Sequence, residues 1–388
     1  MRLEPEDRSL LSARTVRQID WVLLGSALIV CTLGVLFIWS ASFHLEQDGD
    51  WHASSQPLRQ LMWIGAGLVV FVIIVALPYT YFTRVSYLFY VAILALLVGV
   101  LFAPAIQHVH RWFRVGGFLF QPGEFVKVVL VITLARYLMY RESYRTLPGL
   151  AAPLVLALAP MVLLVMEPDI GTSLTLLPIM FALLFTAGAR RSHLVIIVLV
   201  GLGSLPAIYY APHVLQDWQR ERIITIIHPE SHAKDIRYGS YQVMNSVTAV
   251  AAGGVAGKGW GQGSQHLFDF IPADQTDFIF AVYAEEWGFL GTTFLLFLYF
   301  LIFTCGLSIA KSTREPFGRL IAVGVVVMWA SQVLINIGMT VQLMPVTGIP
   351  LPFMSYGGSS LVSSFVALGL IVSVGRHRVP VLADEDFK

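Results

Sequence analysis

Long apolar runs alternate with short polar stretches along almost the whole chain. A helix needs about 20 largely apolar residues to cross the ~30 Å hydrocarbon core of a bilayer. Runs of this length therefore predict membrane-spanning helices. We place ten spans, at Ile19–Ala41, Leu58–Leu77, Val85–Phe102, Gly123–Tyr140, Leu150–Met166, Gly171–Ala187, Leu194–Tyr210, Phe278–Ala310, Leu320–Leu343 and Gly358–Gly375.

The eighth run, Phe278–Ala310, is longer than one crossing requires at ~1.5 Å of rise per residue. We expect this helix to project beyond the membrane or to bend near Gly288 and Gly291.

Basic residues divide unevenly between the two ends of the predicted spans. If the N-terminus is cytoplasmic, most arginines and lysines fall on the inner side. The positive-inside rule therefore favours an N-in, C-in topology, with which an even number of spans agrees. Residues 1–18 and 376–388 would then be cytoplasmic, and residues 1–388 form one all-α polytopic membrane domain.

The segment 211–277 is a long extracytoplasmic loop between the seventh and eighth spans, rich in glycine, charge and aromatic residues. Loops of this length are usually functional or disordered. Its apolar stretch Tyr241–Ala252 predicts a structured loop with a re-entrant or interfacial part.

Composition agrees with a membrane protein, since 56% of the residues are hydrophobic and only 13% are charged. The net charge of +1 is uninformative, and the basic residues lie in short loops, which argues against a nucleic-acid partner. Cys31 and Cys305 both lie inside apolar runs, so a disulfide framework is not expected. No spacing typical of metal ligands is visible.

The first polar group at an outer membrane boundary runs from Arg111 to Lys127. Glu124 and Lys127 are three residues apart, so they share a helical face and can pair. One interpretation is a structural ion pair, and the other is a cationic cavity wall that receives a phosphate. Arg111 and Arg114 favour the second interpretation, because guanidinium groups suit the geometry of a phosphate. The alternative role for these two arginines is to bind lipid headgroups.

The second group lies where the long loop enters the eighth span. Asp277 at this position could simply cap the helix. With Asp269 and Asp274 nearby, mutual repulsion would disfavour ionisation and so favour a base. Glu285 and Glu286, two turns further on, either shape the site or have packing roles.

Two further stretches are polar or rich in turns. Asp169 follows the fifth span and is placed to cap the sixth. The segment 345–360 is a proline-stiffened loop into the last span, and non-helical backbone at membrane depth is tolerated only against protein or a wet cavity.

Together these motifs resemble the SEDS family (shape, elongation, division and sporulation) from about Ile19 to Arg376. The motifs that carry the resemblance are Arg111-Trp112, Gln121-Pro122-x-Glu124-x-x-Lys127, Pro168-Asp169-x-Gly171-Thr172, Tyr241-Gln242, Gly257-Lys258-Gly259-Trp260, Thr276-Asp277-Phe278-Ile279-Phe280-Ala281 with Glu285-Glu286, Asn336-Ile337-Gly338-Met339, Pro350-Leu351-Pro352 and Ser355-Tyr356-Gly357-Gly358-Ser359. The run from Gly257 to Gln265 looks more like the elongation member than the division member. The chain departs from the family pattern at Ala273, Gln275, Glu167 and Gly123, where Glu, His, Gln and Ser are frequent, but it keeps Asp277.

The resemblance implies a peptidoglycan glycosyltransferase of the bacterial cytoplasmic (inner) membrane that polymerises lipid II. It implies Asp277 as the essential acidic residue, with Trp112, Glu124 and Lys127 carried over from the family's motifs. The full set of expected substrate-binding residues is Arg111, Trp112, Arg114, Glu124, Lys127, Asp169, Lys258 and Ser355. Arg111, Arg114, Lys127 and Lys258 would hold the diphosphate. The resemblance assigns no certain cofactor, and a divalent cation could replace some of these positive groups.

The resemblance also implies partners: a class B penicillin-binding protein, the morphogenetic proteins MreC and MreD, and membrane lipids. Two other classes of function stay open. A lipid II flippase would share the spans and buried charges, and a scaffold for a transpeptidase would not need Asp277.

Overall fold

The computed structural model describes residues 20–45, 51–53, 55–106, 109–116, 118–140, 146–210, 238–264 and 275–377. The predicted cytoplasmic segment 1–18 lies outside the described residues, as does most of the predicted tail 376–388. Of the predicted loop 211–277, the parts 211–237 and 265–274 lie outside them, including Asp269 and Asp274.

Helices dominate the described part of the chain, and each of the ten predicted runs falls on one of them. The helices are α1 Trp21–Ser40, α2 Gln56–Ala76, α3 Tyr81–Leu101, α4 Pro122–Met139, α5 Ala151–Met166, α6 Ile170–Ala187, α7 Arg191–Tyr210, α8 Tyr238–Ala252, α9 Ile279–Ser312, α10 Pro316–Thr340 and α11 Gly358–His377. Helix α8 lies inside the predicted long loop, where the apolar stretch Tyr241–Ala252 indicated structure.

Two short antiparallel ribbons connect the early helices. Strand β1 (Phe43–Leu45) pairs with β2 (Trp51–Ala53) between α1 and α2. Strand β3 (Phe113–Val115) pairs with β4 (Phe118–Phe120), with Arg114 opposite Leu119. The second ribbon leads directly into α4, whose first residue is Pro122, a residue suited to the first turn of a helix.

Within the described residues, eight helices are long and apolar enough to cross a membrane: α1, α2, α3, α5, α6, α9, α10 and α11. Helix α4 differs because its 18 residues include Glu124, Lys127 and Arg136. Of α7, the part Arg191–Gly201 is a shorter apolar helix. The chain is therefore a multi-pass membrane protein, and the count of ten spans stays a prediction.

Helix α10 lies at the centre of the bundle, where it packs against α4, α6, α8, α9 and α11. Helices α2 and α3 instead expose large apolar side chains, among them Met62, Val72, Leu88 and Val91. Lipid tails are as apolar as these side chains, so their exposure on an outer helix face is what a bilayer permits.

The long helix α9 is broken at Gly288, where φ is 60° and ψ is −158°, so the predicted bend is confirmed. In an unbroken helix, the carbonyls of Glu285 and Glu286 would accept hydrogen bonds from residues four positions later. Here they accept from the backbone N–H groups of Lys258 and Gly259, each at 3.0 Å.

The amide groups released by the break also find partners. The N–H of Phe289 donates to the carbonyl of Gly254 at 2.9 Å, and that of Leu290 donates to the carbonyl of Val255 at 3.1 Å. The turn formed by residues 253–259 is therefore inserted into the hydrogen-bond ladder of α9. All four backbone groups at the break therefore have hydrogen-bond partners, as the interior of a membrane requires.

Close backbone approach explains the glycine at the break. A Cβ on Gly288 would lie 2.8 Å from both the Gly253 and Val255 carbonyl oxygens, in a backbone region that only glycine occupies readily. Gly254 also has a positive φ, of 54°, but faces open space.

We predict that Gly288→Ala lowers the melting temperature of the detergent-solubilised protein much more than Gly254→Ala does. The control carries only the left-handed backbone cost, about 1–2 kcal/mol, whereas Gly288→Ala also forces the turn out of the ladder. Thermal unfolding followed by size-exclusion chromatography measures both. Equal shifts for the two variants would contradict the insertion.

Candidate functional site

The first residues of α4, α6 and α11 meet around Gln121, the residue before α4. The backbone N–H of Gln121 donates to Ser359 Oγ, near the start of α11, at 3.0 Å. Its side-chain Nε2 donates to Asp169 Oδ2, before α6, at 3.1 Å. Three helix N-termini, each with a positive dipole end, therefore lie together.

Asp169 caps α6, as its position predicted. Its Oδ1 accepts from the backbone N–H of Thr172 at 3.2 Å, and its Oδ2 accepts from Thr172 Oγ1 at 3.0 Å. A Cβ on Gly123 would lie 3.4 Å from Asp169 Oδ2, so the carboxylate lies directly against the first turn of α4.

In that first turn, Lys127 Nζ and Glu124 Oε2 form an ion pair at 2.8 Å, and both side chains are buried. The spacing of three residues predicted this pair. Each charge compensates the other, so the pair contributes little net charge to its surroundings.

Three residues of the predicted set, Arg111, Trp112 and Arg114, lie in or just before strand β3. Arg111 donates through Nε to the carbonyl of Glu167 at 3.0 Å and through its terminal nitrogen to the carbonyl of Pro168. It therefore holds the turn before α6. Trp112 is half-buried, and Arg114 is exposed, with no hydrogen bond or ion pair to any residue that the structure describes.

Glu167 is a buried carboxyl group that was not in the predicted site. Neither carboxylate oxygen has a hydrogen-bond partner within the described residues. Burial, reinforced by nearby Asp169 and partly offset by Arg111, raises the pKa of Glu167 to about 8. The group is therefore largely protonated at neutral pH.

Backbone hydrogen bonds fix the segment that carries Asp277. Three successive carbonyls before α9 each accept a hydrogen bond from α10 or from the loop before α11. The donors are Tyr356 N to Gln275 O at 2.9 Å, Ser355 Oγ to Thr276 O at 2.6 Å, and Asn336 Nδ2 to Asp277 O at 2.8 Å. Helix α9 then starts with Phe278 at the N-cap position, so Asp277 precedes the cap by one residue.

Two glycines join the segment of Asp277 to the helix starts. A Cβ on Gly348 would lie 3.2 Å from Asp277 Oδ2. A Cβ on Gly171, in the first turn of α6, would clash with the carbonyl oxygen of Thr347. Asp277 therefore borders the loop that rests on the first turn of α6, the turn that Asp169 caps. These contacts link Asp277 of the second predicted group to Asp169 and, through it, to Gln121.

Ser355 has a structural position in this region. Its hydroxyl accepts from the backbone N–H of Leu351 at 2.8 Å and donates to Thr276. Its carbonyl accepts from Gln60 Nε2, near the start of α2, at 3.1 Å. Gln60 was not predicted as a site residue, because a single glutamine at the end of a span gives no local signal.

Lys258 lies elsewhere. Its Nζ pairs with Glu285 Oε1 at 2.6 Å and donates to Ser264 Oγ at 2.8 Å. Glu285 is eight residues beyond Asp277, which corresponds to about 12 Å along a helix axis. The described contacts of Lys258 thus neutralise it beside the turn inserted into α9, rather than bring it to the helix starts.

A metal centre finds no support in the described ranges, which contain no group of three or more His, Cys, Asp or Glu side chains placed to hold an ion. The positive character of the region comes from helix N-termini and arginines.

The fold and the site define a multi-pass helical membrane protein with a buried polar region at the ends of its spans. Residues 20–379 match the family model described as a cell cycle protein, FtsW/RodA/SpoVE. The chain belongs to this family, which is the SEDS family that its motifs resemble.

Relatives and solved structures agree with that assignment. The chain is 33% identical to the peptidoglycan glycosyltransferase MrdB of Escherichia coli K12, over 84% of this chain and 89% of MrdB. It is 30% identical to the peptidoglycan glycosyltransferase RodA of Treponema pallidum, over 94% and 99% of the two chains. A chain from a peptidoglycan synthase complex that coordinates polymerization and crosslinking superposes with a TM-score of 0.77 at 30% identity, covering 92% of this chain and 98% of that one. The crystal structure of Thermus thermophilus RodA gives a TM-score of 0.66 at 28% identity, with coverage of 93% and 97%.

These identities do not separate the branches of the family. Stage V sporulation protein E of Bacillus subtilis is 34% identical over 92% of this chain and 97% of its own length, close to the value for MrdB. The resemblance to the elongation member stays a prediction.

We predict that Lys127→Met destabilises the protein by about 3–5 kcal/mol, because it leaves Glu124 as an uncompensated buried charge. The double variant Glu124→Gln/Lys127→Met should recover most of that loss. Denaturant or thermal unfolding of the wild type, both single variants and the double variant measures the coupling. A double variant no more stable than Lys127→Met would contradict a structural ion pair.

We also predict a pH-dependent effect of Glu167→Gln. The folded protein binds the Glu167 proton more tightly than the unfolded chain does, so the wild type loses stability as pH rises from about 4.5 to about 8. Glutamine cannot ionise, so the melting temperature of the variant should gain on that of the wild type across this range. Each pKa unit corresponds to about 1.4 kcal/mol. A difference that is independent of pH would contradict a neutral Glu167.

Proposed function

We propose that this protein is a peptidoglycan glycosyltransferase that joins lipid-linked disaccharide units into glycan strands on the outer face of the membrane. The observation that carries the proposal is the position of Asp277. Its carboxylate lies against Gly348, in the loop that rests on the first turn of α6, and α6 is joined through Asp169 and Gln121 to the starts of α4 and α11. The names of MrdB and the Treponema pallidum RodA support the same chemistry.

The proposed topology has ten spans with both termini in the cytoplasm. Helices α2, α4, α6, α9 and α11 would then all begin at the outer face. Hydrogen bonds support a common side for these starts, since Ser355 binds Gln60 of α2 and the Thr276 carbonyl before α9, while Gln121 joins α4 to α6 and α11. The long segment 211–277 would face outward as well.

The substrate of such an enzyme is a lipid diphosphate, and its negative charge needs compensation. Lys127 pairs with Glu124, and Arg111 holds backbone carbonyls. Hydrogen bonds to neutral carbonyls leave the charge of Arg111 intact, and the Asp169 carboxylate offsets the dipole of α6. We therefore assign the positive field to Arg111, Arg114 and the N-termini of α4 and α11, each terminus equivalent to roughly half an elementary charge. Exposed Arg114 and half-buried Trp112 would contact the substrate at the edge of the site. Arg111, Asp169 and Ser355 would instead determine the shape of the site through their hydrogen bonds.

Asp277 acts as the general base in this proposal. The acceptor hydroxyl oxygen attacks the anomeric carbon of the donor sugar while its proton passes to the Asp277 carboxylate. The bond from the anomeric carbon to the diphosphate oxygen breaks, and the diphosphate leaves with the electron pair. Attack opposite the leaving group inverts the anomeric centre. Diphosphate leaves without being protonated, so no acid is needed, unlike the acid-and-base pair of an inverting glycosidase.

The proposed partner is a class B penicillin-binding protein. The similarity to a chain from a peptidoglycan synthase complex supports a partner that crosslinks the strands. A role in cell elongation, with MreC and MreD nearby, follows from the resemblance of the Gly257–Gln265 run and is likewise proposed.

We predict that Asp277→Asn abolishes polymerisation of labelled lipid II by the purified protein in detergent, because the amide cannot accept the proton. Asp20→Asn is the matched control. Asp20 caps α1, where its carboxylate accepts from Val22 and Leu23, and asparagine caps helices equally well. Penicillin-type inhibitors exclude contaminating transpeptidases, and the assay runs with and without the class B protein of the same bacterium.

An active Asp277→Asn variant would contradict the base assignment. A wild type that makes no glycan under either condition, yet moves lipid II across vesicle membranes, would identify a flippase. A wild type that binds the class B protein but neither makes glycan nor moves lipid II would indicate a scaffold.

A further inference from the structure

Asn336 lies near the C-terminal end of α10 and is fully buried. Its side-chain Nδ2 donates to two backbone carbonyls, that of Asp277 at 2.8 Å and that of Ile349 at 2.7 Å. A primary amide nitrogen carries two hydrogens, so both hydrogens of Nδ2 are used in these two bonds. Asp277 lies just before α9 and Ile349 lies in the loop before α11, so both acceptors belong to non-helical segments.

Asn336 belongs to a helix that lies at the centre of the bundle. Helix α10 packs against five other helices, including α4, α6 and α9. The carbonyl of Asn336 also accepts from Thr340 Oγ1 at 2.8 Å, one turn further on. A segment bound to Asn336 is therefore fixed relative to the core, not merely to another loop.

The two bonds of Asn336 fix the two backbone segments that meet at the Asp277 carboxylate. One bond fixes the backbone of Asp277 itself. The other fixes Ile349, the neighbour of Gly348, whose Cα lies where a Cβ would come within 3.2 Å of Asp277 Oδ2. The distance from the carboxylate to this glycine wall thus depends on two hydrogen bonds that share one nitrogen atom.

Other side chains cannot replace this arrangement. Leucine has nearly the same shape but would remove the donor that residue 336 supplies to each carbonyl, and lost hydrogen bonds to buried carbonyls are costly. An ionised aspartate would place a negative charge against two carbonyl oxygens. A protonated aspartate has a single O–H and could restore one of the two bonds.

We propose that Asn336 is a positioning residue for glycosyl transfer, which acts by setting the place of the Asp277 carboxylate relative to the Gly348–Ile349 wall. This inference rests on the proposed function, in which Asp277 takes the acceptor proton. Asn336 touches neither substrate nor the reacting atoms in this proposal. Its effect on catalysis passes through the backbone.

The test compares Asn336→Leu, Asn336→Asp and the control Ser331→Ala in the lipid II polymerisation assay, alone and with the class B protein. Ser331 is a buried polar residue of the same helix, and among the residues that the structure describes its hydroxyl bonds only to the Val327 carbonyl one turn earlier. Melting temperatures and size-exclusion profiles establish the folded fraction of each variant, so that rates refer to folded protein.

For Asn336→Leu we expect kcat per folded molecule to fall by roughly 10- to 100-fold, since small misplacements of catalytic groups cost this much, while KM changes less than about twofold. For Asn336→Asp we expect the ratio of its rate to that of the wild type to increase as pH is lowered from about 8 to about 6. Protonation restores one donor, and a purely structural loss would not produce this profile. Ser331→Ala should keep the wild-type kcat.

A folded Asn336→Leu variant with wild-type kcat would overturn the proposal. So would an Asn336→Asp ratio that stays flat with pH, or a loss confined to KM. An inactive wild type would instead overturn the proposed function, and with it this inference. An active Asp277→Asn variant would also overturn the inference, because the Asp277 carboxylate would then not be the base that Asn336 positions.

Discussion

Backbone groups that leave a helix near the membrane must find partners within the protein, and this constraint governs the whole structure. At the break in α9, a turn of the preceding segment enters the ladder and pairs with four peptide groups. Before α9, three successive carbonyls are each bound by α10 or by the loop before α11. In both places irregular backbone is fixed as firmly as helix, which lets a loop residue such as Asp277 have a defined position.

The same constraint determines how charge is distributed. Lys127 and Lys258 are each paired with a glutamate, and Arg111 binds backbone carbonyls. Arg111 keeps its full charge because carbonyl groups are neutral, so positive charge at the site comes from this arginine together with the converging helix starts. Dipoles held in place by the fold need little rearrangement when a charged group arrives, which is the basis of electrostatic preorganisation in enzymes. A lipid diphosphate approaching from the bilayer would meet such a field beside a carboxylate.

Local sequence patterns predicted the features that arise within one helix or turn. The apolar runs fall on helices, the bend at Gly288 is present, Glu124 pairs with Lys127 and Asp169 caps α6. The sequence did not predict features that join distant segments. The pairing of Lys258 with Glu285, 27 residues away in a different element, is one such feature. Asn336 was noted only as part of a motif, since its two acceptors lie 59 and 13 residues away.

The convergence of Asp277 with the helix starts is tested most directly by locating a bound lipid diphosphate. Cryo-electron microscopy of the Asp277→Asn protein with lipid II should show diphosphate density at the N-termini of α4, α6 and α11, with the sugar beside residue 277. Diphosphate density beside Lys258 and Glu285, or on the lipid-exposed faces of α2 and α3, would contradict the site described for this protein.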